Sequence, residues 1–219
     1  MIYLDYKLAF VVSYRNREEH LAQFVMHYKN LFPDADIYVA HQLGDAPFNR
    51  GKLLNIGFLY AEDKADAFDL CDIDMLAVEE HVDYSFPTAV THLASATSQF
   101  DYKMPYPAYF SGHVLLTASH MRSVNGFYND YSGYGCEDDS FYRSFLLKEL
   151  PVERRYGRYE CLPHERYVDK DPALMDLFNR NWDHFQLNPR DFSNGLSSCE
   201  YTIVRVHQYQ GYTQLDIEC

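Results

Sequence analysis

The sequence lacks an excess of positive charge. Its 219 residues include 19 Lys and Arg against 32 Asp and Glu, which gives a formal net charge of −13. Proteins that bind nucleic acids contact the phosphates through a basic face. The composition therefore argues against a nucleic-acid partner, although a nucleotide ligand stays open if a metal cation neutralises its phosphates.

Long apolar runs and paired cysteines are also missing. No run approaches the roughly 20 residues of a membrane-spanning helix, and the first ten residues, MIYLDYKLAF, carry charges where a signal peptide has its apolar core. The cysteines are odd in number and form no CxxC pair. We therefore expect reduced thiols in a cytoplasmic protein that could still associate peripherally with the inner face of a membrane. The five are Cys71, Cys136, Cys161, Cys199 and Cys219.

No internal repeat, low-complexity stretch or Pro/Gly-rich linker divides the chain, so we expect residues 1–219 to form one domain. Short apolar runs alternate with segments of helical periodicity. This alternation predicts an α/β fold with a mixed, mostly parallel central sheet flanked by helices. The predicted strands are 8–14, 36–42, one within 67–77 that Asp72–Asp74 closes, 109–117, and strands around Gly211 within 201–217. The predicted helices are 17–32, 51–63, 119–125 and one that starts at the acidic triplet 137–139.

The acidic triplet Glu137, Asp138 and Asp139 follows a Gly-rich aromatic turn. The helix dipole favours acidic side chains in a first turn, so the local pattern alone needs no function. Apolar residues recur behind the triplet at four-residue spacing and predict a buried stripe. They are Phe141, Phe145, Tyr142, Leu146 and Leu150.

Two further charged motifs fall where predicted strands end, which is where open α/β sheets bind ligands. The guanidinium groups of Arg15 and Arg17 suit diphosphate oxygens, although Asn16 between them could simply cap a helix. Asp72 and Asp74 could hold a hard divalent cation, or could form an ordinary turn after a strand. Each motif alone favours the structural reading.

Two more stretches have the same ambiguity. The stretch FNRGKLLNIGF at 48–58 offers an aromatic and an arginine before a helix, and equally fits an amphipathic helix. Cys161 and His164 lie three residues apart and could both bind a metal, although a loop with a surface histidine explains them as well.

In this order, the motifs resemble the β-1,4-galactosyltransferases, which are inverting nucleotide-sugar transferases with a GT-A fold. VVSYRNREEHL resembles a family strand ending in Phe-Arg-Asn-Arg, and PFNRGKLLNIGF resembles its Phe-Asn-Arg-x-Lys-Leu-Leu-Asn. CDIDML is similar to its Asp-Val-Asp. The block from YFSGH to SGYGCEDD is similar to its block from Tyr-Phe-Gly-Gly to Trp-Gly-Trp-Gly-Gly-Glu-Asp-Asp, and SNGLSSCEYTIV and YTQLDI are similar to its end.

The resemblance implies transfer of galactose from UDP-galactose to a saccharide or lipid-linked saccharide, with a β-linkage, in surface polysaccharide synthesis. Asp138 would be the catalytic base. Asp74, Cys161 and His164 would bind Mn²⁺ or another divalent cation. The residues placed around donor and acceptor sugars are Tyr134, Glu137 and Asp139. Those placed around the UDP donor are Tyr14, Arg15, Arg17, Phe48, Arg50, Asp72, Tyr109 and Gly112.

The chain departs from the family pattern at several of these positions. Where the family has Met, Trp and Gly, this chain has Cys161, Tyr134 and Cys136. An apolar family residue that helps to accept an acetamido group aligns near Asn181 of this chain. The anchor and stem of animal members are missing, which suggests a soluble bacterial relative. Tyr109 would lie beside carbon 2 of the donor sugar and favours galactose over N-acetylgalactosamine.

Other functions stay open at this point. UDP-GalNAc or UDP-glucose could replace UDP-galactose as the donor of a transferase with this fold. A nucleotide-sugar hydrolase could use the same metal with water as acceptor, and a non-catalytic glycan-binding subunit could keep the fold alone. The segments that match the family least, 78–104 and 167–193, are expected to form the acceptor pocket.

Overall fold

The computed structural model describes residues 1–164, 172–187 and 191–219. Strands and helices alternate in the first half of the chain, as the sequence predicts. The strands are β1 (Leu8–Tyr14), β2 (Asp36–Gln42), β3 (Ala67–Cys71), β4 (Met75–Ala77), β5 (Val90–His92), β6 (Ala96–Thr97), β7 (His113–Leu116), β8 (Val152–Arg154), β9 (Arg158–Cys161), β10 (Thr202–Tyr209) and β11 (Tyr212–Glu218). The α-helices are α1 (Glu18–Leu31), α2 (Arg50–Ala61), α3 (Ala118–Ser123), α4 (Glu137–Leu147) and α5 (Pro172–Leu187).

A mixed central sheet organises the fold. Its eight strands follow the order β10-β11-β2-β1-β3-β7-β5-β8, and a second sheet has the order β4-β9-β6. β1 runs parallel to β2 and β3, and β11 runs parallel to β2. β7 instead runs antiparallel to β3, and the chain between them passes through β4, β5 and β6 rather than through a crossover helix. The predicted α/β class and central sheet are confirmed.

The central strand β1 is buried on both faces, which explains its unbroken apolar sequence. Leu8, Phe10 and Val12 pack into a core layer shared with α1. Ala9 and Val11 point to the opposite layer, which contains the buried faces of α2 and α4. The alternation of side chains along β1 thus joins both halves of the core.

Three predicted elements differ from the structure. The sequence predicts one strand within 67–77, closed by Asp72 and Asp74, whereas the structure has two, because the turn from Asp72 to Met75 carries the chain out of the central sheet into β4. The predicted strand 109–117 is confined to β7, because Gly112 before it has a φ of +93°. The predicted stripe on α4 is only half correct: Phe141 and Phe145 are buried, whereas Leu146 is 51% exposed on the next row of the helix.

All five cysteines are unpaired thiols. Among residues 1–164, 172–187 and 191–219, none of the helices combines the length and the apolar character needed to cross a bilayer.

Helix α2 approaches β1 through a glycine. A Cβ atom built on Gly57 would lie 2.5 Å from Cγ1 of Val11, well inside van der Waals contact. Glycine weakens a helix by about 1 kcal/mol relative to alanine. The close approach of helix and sheet therefore explains why a helix-weakening residue stands in the middle of α2.

We expect Gly57→Ala to lower the free energy of unfolding by about 1–3 kcal/mol, because the added methyl group overpacks the contact with Val11. In a Val11→Ala background, the same substitution should cost at least about 0.5 kcal/mol less, since the colliding methyl group is gone. Chemical denaturation of the four proteins of this cycle measures both values. An equal cost in the two backgrounds would contradict the packing explanation.

Candidate functional site

Arg50 joins two of the predicted motifs. Its Nε atom lies 2.5 Å from Oδ1 of Asp72, and its Nη1 atom lies 2.6 Å from Oδ1 of Asp138. The three side chains are largely buried, with 13% of Arg50, 21% of Asp72 and 16% of Asp138 exposed. The first turn of α2 thus holds the Asp72 turn and the start of α4 together, although 88 residues separate Arg50 from Asp138.

Two of the predicted metal ligands, Asp74 and His164, meet at the same turn. β4 pairs with β9 so that Met75 faces Cys161, and the amide of Leu162 donates to the carbonyl of Asp74 at 2.7 Å. Nδ1 of His164 then lies 2.9 Å from Oδ2 of Asp74. The strand pairing therefore brings Asp74 into contact with His164, while Cys161 lies opposite Met75, the residue after Asp74.

The charges at this point are coupled. Burial would raise the pKa of Asp74, but the hydrogen bond and charge of His164, together with the charge of Arg17, lower it. The hydrogen bond to Asp74 raises the pKa of His164. Arg17 contributes through Nη1, 3.4 Å from Oδ2 of Asp74. Burial raises the pKa of the Cys161 thiol, which therefore stays protonated near neutral pH.

These donors fit a divalent cation such as Mn²⁺. Mn²⁺ accepts hard ligands such as a carboxylate and borderline ligands such as an imidazole. The imidazole of His164 is in contact with the carboxylate of Asp74. Asp72 adds a second carboxylate two residues away, and burial raises its pKa against the opposing effect of Arg50. A protonated thiol is a weak ligand, so Cys161 is the poorest member of the set.

A different group of potential ligands lies in the core. Donor atoms of Asp69, Cys71 and His113 lie within 4.8 Å of one another, and all three residues are buried. Nδ1 of His113 and the hydroxyl of Tyr84 each lie 2.7 Å from Oδ2 of Asp69, so this oxygen is engaged within the protein, whereas the buried Oδ1 has no hydrogen-bond partner among the described residues. The sequence analysis missed this group. Its signal is an Asp inside the apolar run AFDLC and a His at the start of HVLL.

The acidic triplet opens α4, as predicted. The N-cap residue Cys136 has a φ of +75°, a conformation that favours glycine, which is the family residue at this position. Asp139 accepts a hydrogen bond from the hydroxyl of Tyr106 at 3.1 Å, and burial raises its pKa. Burial, with the neighbouring charge of Asp138, raises the pKa of Glu137 to about 7.

The predicted uridine and diphosphate residues lie where β1 ends. The guanidinium of Arg15 sits 5.4 Å from the ring centre of Phe48 and donates to the carbonyl of Ala46 at 2.6 Å. Tyr14 is buried at the end of β1, with its ring 4.9 Å from that of His41. The Arg15 guanidinium and the Phe48 ring thus lie side by side, close in the chain to Arg17.

Tyr109 and Gly112 border the Asp72 turn. Tyr109 is 6% exposed, and its ring packs edge-on against His92 and Tyr106. The carbonyl of Gly112 accepts a hydrogen bond from the amide of Asp72 at 2.9 Å. A Cβ atom on Gly112 would lie 2.5 Å from Sδ of Met75, so a larger residue would displace the turn.

Tyr134 is an exposed member of the predicted set, with 49% of its surface accessible. Its ring centre lies 6.0 Å from that of Phe178 on α5, which stacks on Trp182. Asn181 is buried and donates to the carbonyls of the turn that carries Tyr134, so its side chain supports that turn. Residues 167–171 and 188–190 of the expected acceptor segment lie outside the described residues.

Replacing Glu137 with Gln should make stability less sensitive to pH. The unfolded chain releases this proton near pH 4.5, whereas the folded chain holds it until about pH 7. Stability from this group is therefore present below pH 4.5 and is lost as the pH rises through 7. Since Gln mimics the protonated form, Glu137→Gln should be more stable than the parent at pH 8, by about 1–3 kcal/mol, and equally stable near pH 4.

Denaturation curves at pH 4 and pH 8 measure this difference. Glu80→Gln, at an exposed position, gives the baseline for a simple loss of charge. A Glu137→Gln variant that is less stable than the parent at pH 8 would contradict the assigned environment.

Comparison with known proteins identifies relatives over nearly the whole chain. Residues 3–87 match the N-terminal region of glycosyl transferase group 7, and residues 91–165 match a family described as the N-terminal domain of galactosyltransferase. β-1,4-Galactosyltransferase 1 of Bos taurus is 31% identical over 97% of this chain, which spans 54% of that protein. β-1,4-Galactosyltransferase 4 of Cricetulus griseus is 30% identical over 97% of the chain, which spans 63% of it.

Solved structures give the same result. The catalytic domain of Drosophila β-1,4-galactosyltransferase 7 in complex with xylobiose superposes with a TM-score of 0.81 at 29% identity, covering 97% of this chain and 93% of that one. A mutant of that enzyme in complex with manganese, UDP-Gal and xylobiose gives 0.82 at 28% identity, with the same coverage. Over its length, this chain therefore corresponds to a catalytic domain.

Proposed function

The chain belongs to glycosyltransferase group 7, the family of the β-1,4-galactosyltransferases, and we propose that it transfers galactose from UDP-galactose to a sugar hydroxyl with inversion to a β-linkage. The observation that carries the proposal is the Arg50 bridge, which sets Asp138 beside the Asp72–Asp74 turn. A candidate proton acceptor and a candidate diphosphate and metal site then share one cleft.

The proposed reaction is a single displacement. The acceptor oxygen attacks the anomeric carbon of galactose, the bond from that carbon to the diphosphate oxygen breaks, and UDP leaves with the electron pair. Asp138 accepts the proton of the acceptor hydroxyl as the new bond forms. Arg50 engages Oδ1 of Asp138 and fixes its orientation, so that Oδ2 is the proposed proton acceptor.

The other predicted residues bind and orient the substrates in this proposal. Arg15 and Phe48 together offer a flat cationic and aromatic surface to the uridine. Arg17 lies beside Asp74, where its guanidinium can donate to a phosphate oxygen. Glu137, largely protonated up to about pH 7, can donate a hydrogen bond to a sugar hydroxyl, and Asp139 can accept one.

Asp74 and His164, with Cys161 as a weaker third ligand, would hold Mn²⁺ in this proposal. A bound divalent cation supplies Lewis-acid stabilisation of the negative charge that develops on UDP.

We further propose the setting that the sequence indicates. Residues 1–219 would act as one domain in the cytoplasm, with a saccharide or lipid-linked saccharide as acceptor, in surface polysaccharide synthesis. An array of UDP-sugars against simple sugar acceptors with Mn²⁺, read by UDP release and product mass, tests the function directly. Rapid UDP release without an acceptor would indicate a hydrolase instead, and no turnover with any donor would indicate a glycan-binding protein.

We expect Asp138→Asn to lower kcat for transfer by at least about 100-fold, because it removes the proton acceptor and keeps the shape of the side chain. UDP binding, measured by calorimetry, should stay within about threefold of the parent. Asp63→Asn, at a side chain that is 86% exposed, is the matched control for an Asp-to-Asn change. Full activity in Asp138→Asn would eliminate this residue as the base, and lost UDP binding would assign it a structural role.

The donor preference follows from Tyr109. Its buried ring beside the Asp72 turn leaves little room for an N-acetyl group, so we expect UDP-galactose to be preferred over UDP-GalNAc. Tyr109→Leu should shift the ratio of kcat/KM for the two donors towards UDP-GalNAc by roughly tenfold or more. Tyr109→Phe keeps the ring volume and should keep the preference. A parent that already prefers UDP-GalNAc, or a kcat/KM ratio for the two donors that Tyr109→Leu leaves unchanged, would contradict this prediction.

A further inference from the structure

Strand β4, which follows Asp74 directly, has a ladder partner on one side only among the described residues. Asp74 and Val78 form backbone hydrogen bonds with Leu162 and Arg158, so the even-numbered positions face β9. The carbonyls of Met75 and Ala77 and the amide of Ala77 point the other way, into the protein. Buried backbone groups of this kind need partners.

Side chains take the place of the missing strand. The hydroxyl of Tyr28 donates to the carbonyl of Met75 at 2.9 Å and accepts from the amide of Ala77 at 3.2 Å. Nε2 of His27 lies 2.9 Å from the carbonyl of Ala77, and Nε2 of His113 lies 3.3 Å from that of Met75. Tyr28 thus makes the same donor and acceptor pair that a neighbouring strand would make.

The Tyr28 hydroxyl is itself held in place by the core. Nε2 of His113 lies 3.1 Å from it, and Nδ1 of His113 lies 2.7 Å from Oδ2 of Asp69. The hydroxyl of Tyr84 donates to the same carboxylate oxygen, and the ring of Tyr159 stacks on His113 at 4.5 Å. A hydrogen-bonded chain therefore runs from β3 and β7 through Tyr28 to β4.

We propose that Tyr28 is a positioning residue for the metal-binding set, because its hydroxyl holds β4 in the register that places Asp74 next to Cys161 and His164. This inference rests on the proposed function for the role of the metal. The buried group Asp69, Cys71 and His113 is then the support of Tyr28 rather than a metal site.

Tyr28→Phe tests the proposal by removing one oxygen atom from a side chain whose ring stays in place. The dissociation constant for Mn²⁺, read from the electron paramagnetic resonance signal of free Mn²⁺, should rise about three- to tenfold, the effect of one buried hydrogen bond. The KM for Mn²⁺ should rise in parallel, while kcat at saturating Mn²⁺ stays within about twofold. Amide hydrogen exchange at Ala77 and Leu162 should become faster.

Tyr6→Phe is the matched control. Its hydroxyl donates to the carbonyl of Tyr84 at 2.7 Å, and thus supports the same core without touching β4. Equal changes in both variants, or no change in Mn²⁺ affinity and β4 exchange in Tyr28→Phe, would overturn the proposal. A parent that binds no Mn²⁺ would overturn it as well.

Two further measurements distinguish the role of Tyr28 from the proposed function and from a metal site in the buried group. A parent that binds Mn²⁺ but transfers no galactose would contradict the proposed function while the Tyr28 effect on Mn²⁺ affinity still stands. Metal analysis of Asp74→Ala should find the tightly bound ion gone. A stoichiometric ion that Asp74→Ala retains and His113→Leu loses would assign the buried group as the metal site and refute the supporting role given to it here.

Discussion

The Arg50 bridge is the interaction on which the site depends. One largely buried guanidinium faces Asp72 and Asp138, with Glu137 close enough to add to the negative field. Burial is the leading cause of the raised pKa values of Asp72 and Glu137; the neighbouring carboxylates add to it, and Arg50 opposes it. A divalent cation bound beside these carboxylates would reduce their mutual repulsion and would let a diphosphate approach.

Much of the scaffold could be predicted from the sequence because its signals are local. β1 and β2 have the predicted bounds, since an apolar run buried on both faces has no competing reading at that length. The departures arise where the path of the chain is decided by distant partners. β4 leaves the central sheet because β9, far along the chain, offers a ladder partner, and β7 enters the sheet antiparallel to both β3 and β5. No local pattern around Asp74 or His113 encodes these pairings.

The candidate site likewise combines features that the sequence predicts with contacts that only the fold determines. The sequence analysis placed Asp74, Cys161 and His164 at one metal site; in the structure Asp74 contacts His164, and the pairing of β4 with β9 sets Cys161 opposite Met75. The pairwise contacts were not predictable. The sequence analysis assigned Arg50 to the diphosphate and Asp138 to the acceptor, whereas the structure joins them directly at 2.6 Å. An ion pair between residues 88 positions apart produces no periodic pattern in the sequence. The same is true of the hydrogen bonds that link Asp69 through His113 to Tyr28.

The three adjacent acids of α4 illustrate how one helix start can present different chemistry at each position. The helix dipole alone would favour the charged form of all three. Their surroundings differ, however. Asp138 forms an ion pair with Arg50, and Asp139 accepts a hydrogen bond from the Tyr106 hydroxyl. Burial and the charge of the neighbouring Asp138 raise the pKa of Glu137 to about 7. Environments that separate neighbouring carboxyl groups in this way are how a protein assigns one as a hydrogen-bond donor and another as a proton acceptor. The crowding of like charges in the sequence is therefore resolved by the partners that the fold brings to each side chain, and the direct ion pair with Arg50 distinguishes Asp138 from the other two.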